Sequence, residues 1–325
     1  MQRRDWLKLS GQSALFGCLL SAVPAAALPG AQRWHQSLRP LMGTYVEIAI
    51  YAEDAAASQR LLDATFVEMQ SWADAISNWE SDSFCSRLKL HGRLPRADCP
   101  AHLLRLWQVG SELRRMSNGN FNPLCSSLTD LWRAAKLASS LPDRVDLKFA
   151  VAAANSTTLE ISPDYVNLKG QSGFDVGGIG KGLMADLAVE FLARQGVRYA
   201  RVACSGDIRF WGDTVWNVEV EDPRADSILR TLRLYGSFGI STSSDARNFW
   251  FVDGARQTHL IDCSTGRSAH FNQQVTVIAP NALWADGLAT TLSVVPLDTA
   301  QQLARALPPV RALIVDQRHQ VSITA

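Results

Sequence analysis

The chain has no surplus of charge of either sign: 32 Lys and Arg face 31 Asp and Glu, a net of +1 over 325 residues. With no basic patch interleaved with aromatics, it offers nothing to a nucleic-acid backbone. Its six cysteines are widely and irregularly spaced and form no CxxC. That pattern argues against a zinc site and a full disulfide framework, while one or two bridges stay open. Repeats, low-complexity tracts and Pro/Ser linkers are missing, so nothing divides the chain into two domains. The apolar run at residues 13–23 is too short for a transmembrane anchor. Neither the dinucleotide fingerprint nor the P-loop occurs.

What is present begins with a leader. Twin arginines, Arg3 and Arg4, precede the apolar run, which exits through Ala25-Ala26-Ala27. This pattern is that of a twin-arginine export signal over residues 1–27, cleaved after Ala27, and it places the mature chain, residues 28–325, in the periplasm. Cleavage removes three positive charges and one negative, leaving −1. Leu15-Phe16-Gly17-Cys18 has the form of a lipoprotein box, and membrane attachment would follow only from lipidation at Cys18. The brief apolar run before it argues against that.

The full sequence is 47% hydrophobic and long enough to bury a large core. Residues 41–50 alternate as a strand, and 55–76 carry Leu61, Leu62, Phe66, Met69 and Trp72 at helical spacing. Helices are expected from about Ser83 and over 101–117, 128–137 and 143–154. The turn Asn118-Gly119-Asn120-Phe121-Asn122-Pro123 falls between the second and third of these. A strand-like run at 158–168 precedes a helix at 183–194. Short strands follow at 199–204, 208–211, 216–220, 231–234, 239–242, 248–252 and 274–278, then a helix at 283–295. The sum is one α+β unit of helices packed on a mainly antiparallel sheet.

Between the run at 158–168 and the helix at 183–194 lies Asp175-Val176-Gly177-Gly178-Ile179-Gly180-Lys181-Gly182. Glycines let backbone amides approach a ligand, a helix start favours negative charge, and Lys181 adds a cation. A phosphate or pyrophosphate suits such a cradle; a purely structural Gly-rich turn is the other reading. Asp286 and Thr290 lie four apart on the last expected helix, so their oxygens share a face. They form either a hard-oxygen pair for Mg²⁺ or an acidic residue near a helix start and a hydroxyl bonded back to its own helix. His259 sits where a strand enters a turn formed by Asp262. Trp79 and Phe121, flanked by polar turn residues, are core aromatics or ligand contacts.

Together these segments resemble the ApbE family of FAD:protein FMN transferases. The likeness runs through Met42-Gly43-Thr44, Ser77-Asn78-Trp79, Gly119-Asn120-Phe121-Asn122-Pro123, the glycine-rich centre closing on Asp186, Gly206-Asp207, Thr242-Ser243, His259-Leu260-Ile261-Asp262 and Ala285-Asp286 with Ala289-Thr290. The resemblance implies Mg²⁺ ligation by Asp286, Thr290 and the Gly180 carbonyl. It also implies FAD contacts from Met42, Trp79, Asn120, Phe121, Asn122, Gly177, Lys181, Leu183 and Leu260. Lys181 and His259 would be catalytic. FMN would pass from FAD to a Thr or Ser hydroxyl of an acceptor redox protein or membrane electron-transport subunit, with AMP leaving.

The chain departs from the family's usual residues at Asn122, Leu124, Ser205, Ser244, Cys263 and Lys89. Two other readings therefore stand beside transfer: a Mg²⁺-dependent FAD pyrophosphatase releasing FMN and AMP, and a non-catalytic periplasmic FAD-binding protein.

Overall fold

The computed structural model describes residues 32–246 and 248–324. The expected leader and Cys18 lie outside them. Among the described residues the architecture is α+β, with an eight-stranded sheet in the order β1-β2-β6-β7-β10-β13-β14-β15, every neighbouring pair antiparallel.

Its strands are β1 (Arg33–Leu41), β2 (Thr44–Ala52), β6 (Ala200–Cys204), β7 (Asp207–Trp211), β10 (Phe238–Ser244), β13 (Asn272–Ala279), β14 (Arg311–Asp316) and β15 (Val321–Thr324). Alternation along these strands splits their side chains between two cores. Val46, Ile48, Val202, Cys204, Val275 and Val277 face the larger one. There α1 (Ala55–Ile76), α3 (Ala101–Met116), α6 (Gly180–Arg194), α7 (Ala282–Ser293) and α8 (Leu297–Arg305) pack. Ile208, Phe210, Phe238 and Ile240 face the other way, against the hairpin of β8 (Val215–Glu221) and β9 (Ile228–Tyr235), whose Trp216 is fully buried among them.

A smaller sheet, β3 (Arg93–Pro95), β5 (Tyr165–Lys169) and β4 (Thr158–Ile161), sits beside α2 (Phe84–His91). The pair α4 (Ser126–Leu137) and α5 (Arg144–Ser156) packs through Leu128, Ala150 and Ala154. A hairpin of β11 (Phe249–Val252) and β12 (Ala255–Thr258) leads into His259.

Three helices begin close to where they were expected, each with a local cap: Asp54, Ser83 and Asp143 each accept a backbone N–H from the first turn. Three expectations are corrected. The strand at 41–50 is a hairpin, with Met42 (φ 52°) and Gly43 (φ 71°) turning β1 into β2. Two consecutive left-handed residues are what a two-residue hairpin turn demands. The run at 158–168 is likewise folded back on itself as β4 and β5.

The helix expected from Leu183 starts at Gly180, so two glycines of the cradle are helical. Helix packing overrides their poor propensity: a Cβ at Gly182 would overlap the Ala282 carbonyl and lie 2.7 Å from Asp286 Cβ. Strands β3, β12, β14 and β15 and helix α8 were not anticipated, being short or lacking a distinctive period.

Candidate active site

Antiparallel pairing collects the turns at one end of the large sheet. The Met42-Gly43 turn, the two-residue turn Ser205-Gly206, the end of β10 at Thr242 to Ser244 and the start of β13 lie side by side by register. Hydrogen bonds join them: Ser205 N–H donates to Tyr45 O at 3.3 Å and Thr242 N–H to Gly206 O at 3.1 Å. The N-terminal turn of α6 points Lys181 at this end.

Lys181 Nζ forms an ion pair with Asp207, the first residue of β7. The other Asp207 oxygen accepts from Ser241 Oγ at 2.5 Å, across the β7–β10 register. Asp286, buried on α7, receives Gly182 N–H at 2.8 Å. Burial and the neighbouring Asp207 push the Asp286 carboxyl up to about 7, although Lys181 and backbone N–H groups oppose the shift. Burial disfavours the charge on Lys181, but Asp207 and Asp286 outweigh it and its pKa rises. The Lys181 ammonium is thus paired with Asp207 while its charge also acts on Asp286.

Thr290 lies on the same face of α7 as Asp286, one turn on, and presses against the cradle: a Cβ at Gly178 would be 2.9 Å from its Cγ2 and 3.2 Å from its Oγ1. Among the described residues no three of His, Cys, Asp and Glu converge as metal ligands. A cation here would therefore draw on one carboxylate, a hydroxyl and backbone oxygen. That donor set is hard, and two buried acids beside a single ammonium leave an excess of negative charge that suits a divalent ion such as Mg²⁺. The residues fit the metal.

A second cluster, absent from the expected site, fixes the two helices. Asp186 of α6 accepts the N–H groups of Ala282 and Leu283, both at 2.9 Å, capping α7 from outside. Arg209 and Arg105 flank it at 3.3 and 3.4 Å. Burial raises the Asp186 carboxyl, with Arg209 and the two backbone donors pulling the other way. Its place at the end of the glycine-rich motif was the available signal. Gly206-Asp207 likewise marked Asp207, but nothing local names its partner.

His259 is exposed, at the end of the β11–β12 hairpin. Desolvation by the surrounding protein lowers its pKa, the positive charges of Lys181 and Lys136 adding to the effect and the bond to Asn248 opposing it. Its Nδ1 lies 3.2 Å from the Asn248 carbonyl. A carbonyl only accepts, so Nδ1 carries the proton and Nε2 keeps its lone pair. Lys136 Nζ holds Asn248 from the other side at 3.2 Å and stands over the Trp250 ring.

Asn120 donates to Asp262 at 2.9 Å, and Cys263 N–H to Asn120 O at 2.9 Å, tying the 118–123 turn to the loop after His259. Asp262 also accepts from Ser264 and Thr265, the turn-forming role expected of it. The cradle joins the same turn through Asp175 N–H to Pro123 O at 2.9 Å, and Asp175 in turn accepts Gly177 N–H at 2.7 Å.

Side chains of the expected FAD residues divide sharply. Trp79 is 54% exposed and carries the Arg133 guanidinium 3.7 Å from its ring centroid. Phe121, Leu183 and Leu260 are buried in the main core, with Met42 packed at its edge. Asn122 is buried, its amide donating to Ala154 O and accepting from Leu124 N–H, both at 2.9 Å. The five cysteines of the described region are buried free thiols.

A sheet end carrying a glycine-rich helix start, two buried acids and a lysine defines the candidate site of this α+β fold. Three-dimensional comparison agrees. The apo flavinyl transferase ApbE of Pseudomonas stutzeri superposes with a TM-score of 0.77 at 25% identity, over 90% of this chain and 95% of that one. The ApbE protein of Thermotoga maritima has the same fold at a TM-score of 0.80 and 23% identity, over 90% and 97%.

In sequence, the FAD:protein FMN transferase of Vibrio cholerae is 27% identical over 82% of this chain and 83% of its own. That of Treponema pallidum is 26% identical over 94% and 91%. The profile of the ApbE family matches residues 42–314, and the chain belongs to that family.

Proposed function

We propose that this protein is a Mg²⁺-dependent FAD:protein FMN transferase of the periplasm, and that it forms a phosphoester between FMN and a Ser or Thr hydroxyl of an acceptor protein. The observation that carries this reading is the buried acid Asp286 beside the Asp207–Lys181 ion pair at the glycine-rich start of α6. Such a site has negative charge to hold a dication and a cation for a phosphate oxygen. The names of the relatives supply the flavin and the protein acceptor.

Asp286, Thr290 and the Gly180 carbonyl would hold the metal, which when bound neutralises charge on the pyrophosphate. Lys181 draws on the same phosphate oxygens while Asp207 anchors its ammonium. The acceptor hydroxyl oxygen attacks the phosphorus on the FMN side, and its bond to the AMP phosphate breaks. His259, neutral and with Nε2 unprotonated, takes the hydroxyl proton. Trp79 and the 118–123 turn border the flavin.

The test is mass spectrometry after incubating the mature protein with FAD, Mg²⁺ and an acceptor domain bearing a Thr site, with AMP followed in parallel. One FMN gained per acceptor, matched by AMP and abolished by EDTA, supports transfer. AMP and free FMN with an unlabelled acceptor would make the protein a pyrophosphatase; intact bound FAD without AMP would make it a binder.

A further inference from the structure

The geometry points to Asp207 as a positioning residue that keeps Lys181 off Asp286, so that the Asp286 carboxylate stays available to a metal; this rests on the metal reading above. Lys181 and Asp286 are close neighbours: Gly182, one residue after Lys181, donates its N–H to Asp286, and the charges of the two side chains act on each other. An unrestrained ammonium beside a buried carboxylate would pair with it, because a buried charge pair attracts far more strongly than an exposed one. Such a pair would take the place of the dication.

Three features prevent the collapse. Asp207 binds the Lys181 ammonium directly. The Asp207 side chain is only 3% exposed, so it cannot swing into solvent. Ser241 fixes the carboxylate's rotation by donating to its second oxygen at 2.5 Å. These atoms are held by main-chain pairing: Asp207 faces Ser241 on β10 and Cys204 on β6. The sheet thereby sets where the lysine of a helix terminus points. Lys181 is then free to meet an anionic substrate oxygen while Asp286 meets the cation, and the two roles do not cancel.

A double-mutant cycle on Mn²⁺ affinity tests this, read by the electron paramagnetic resonance signal of free Mn²⁺ in protein without FAD. Near-ultraviolet circular dichroism confirms that each variant is folded. Asp207→Asn, nearly isosteric, should weaken Mn²⁺ binding about tenfold or more in the otherwise native protein, and no more than about twofold when Lys181→Met is also present. Ser241→Ala should show a smaller loss with the same dependence on Lys181.

An equal loss from Asp207→Asn in both backgrounds would overturn the inference, showing Asp207 to be a ligand or a simple source of field. No loss in either background would overturn it too. If the native protein takes up no Mn²⁺, the metal reading itself fails and this inference with it, an outcome visible before any variant is compared.

Discussion

Gly182 and Asp286 are joined by a 2.8 Å hydrogen bond from backbone to carboxylate, which makes the glycine-rich helix start and the acidic helix one unit. Close approach at Gly182 is what permits the bond, since Ala282 O and Asp286 Cβ occupy the space a side chain would need.

Gly182→Ala should therefore drive α6 and α7 apart. Overpacking of backbone on backbone leaves no flexible atom to yield, so a loss of about 3 kcal/mol or more is expected in urea unfolding, together with loss of metal-dependent turnover. Stability equal to the parent chain would mean the helices can separate at no cost.

Asp286→Asn removes a buried carboxyl whose folded-state pKa, about 7, lies above its ordinary 3.8. Between those values the folded state binds the proton more tightly than the unfolded one, so metal-free stability falls as pH rises from about 4 to about 7. In the variant this part of the slope should vanish, leaving the metal-free protein more stable than its parent at pH 8. Melting temperatures at pH 5 and pH 8 in EDTA check it, and Mg²⁺-dependent transfer should be abolished.

His259→Ala should leave FAD binding intact and reduce transfer by about two orders of magnitude, the usual scale for a general base. The His259 pKa lies below its ordinary 6.5, so transfer should decline only as the pH falls below that value. Equal losses in binding and transfer, measured by fluorescence titration of FAD and by acceptor labelling, would make His259 a ligand contact instead.

Asn122→Asp, which installs the family's more usual residue, should destabilise this chain by roughly 1–3 kcal/mol. The Asn122 amide donates to the Ala154 carbonyl, and a carboxylate there would set acceptor against acceptor in a buried place. Thermal unfolding of the variant reads the effect directly.

Ser205→Gly should do the opposite. Ser205 holds φ at 60° in the turn before Asp207, a conformation costing an L-residue about 1 kcal/mol that glycine avoids. A rise in melting temperature with unchanged flavin affinity is the expected result; a drop in affinity would show that the hydroxyl meets the ligand.

Sequence alone determined whatever is local in this protein. Caps at Asp54, Ser83 and Asp143, the 3.6-residue period of α1, and the two-residue spacing of the sheet strands act within a few residues, so fold class and most helices were legible. The motif residues of the site were legible too, as types in an order.

Tertiary structure alone decided which of them meet. The pairing of Lys181 with Asp207 depends on the β6–β7 hairpin delivering an acid to a helix 26 residues away. The capping of α7 by Asp186 spans 96 residues to Ala282. Asn122 was legible as a turn residue but not as a buried one, because burial is set by α5 packing over it. Helical glycines and split strands escaped for the same reason: backbone propensity is worth at most about 1 kcal/mol per residue, and a close helix crossing or a complete sheet edge outweighs it.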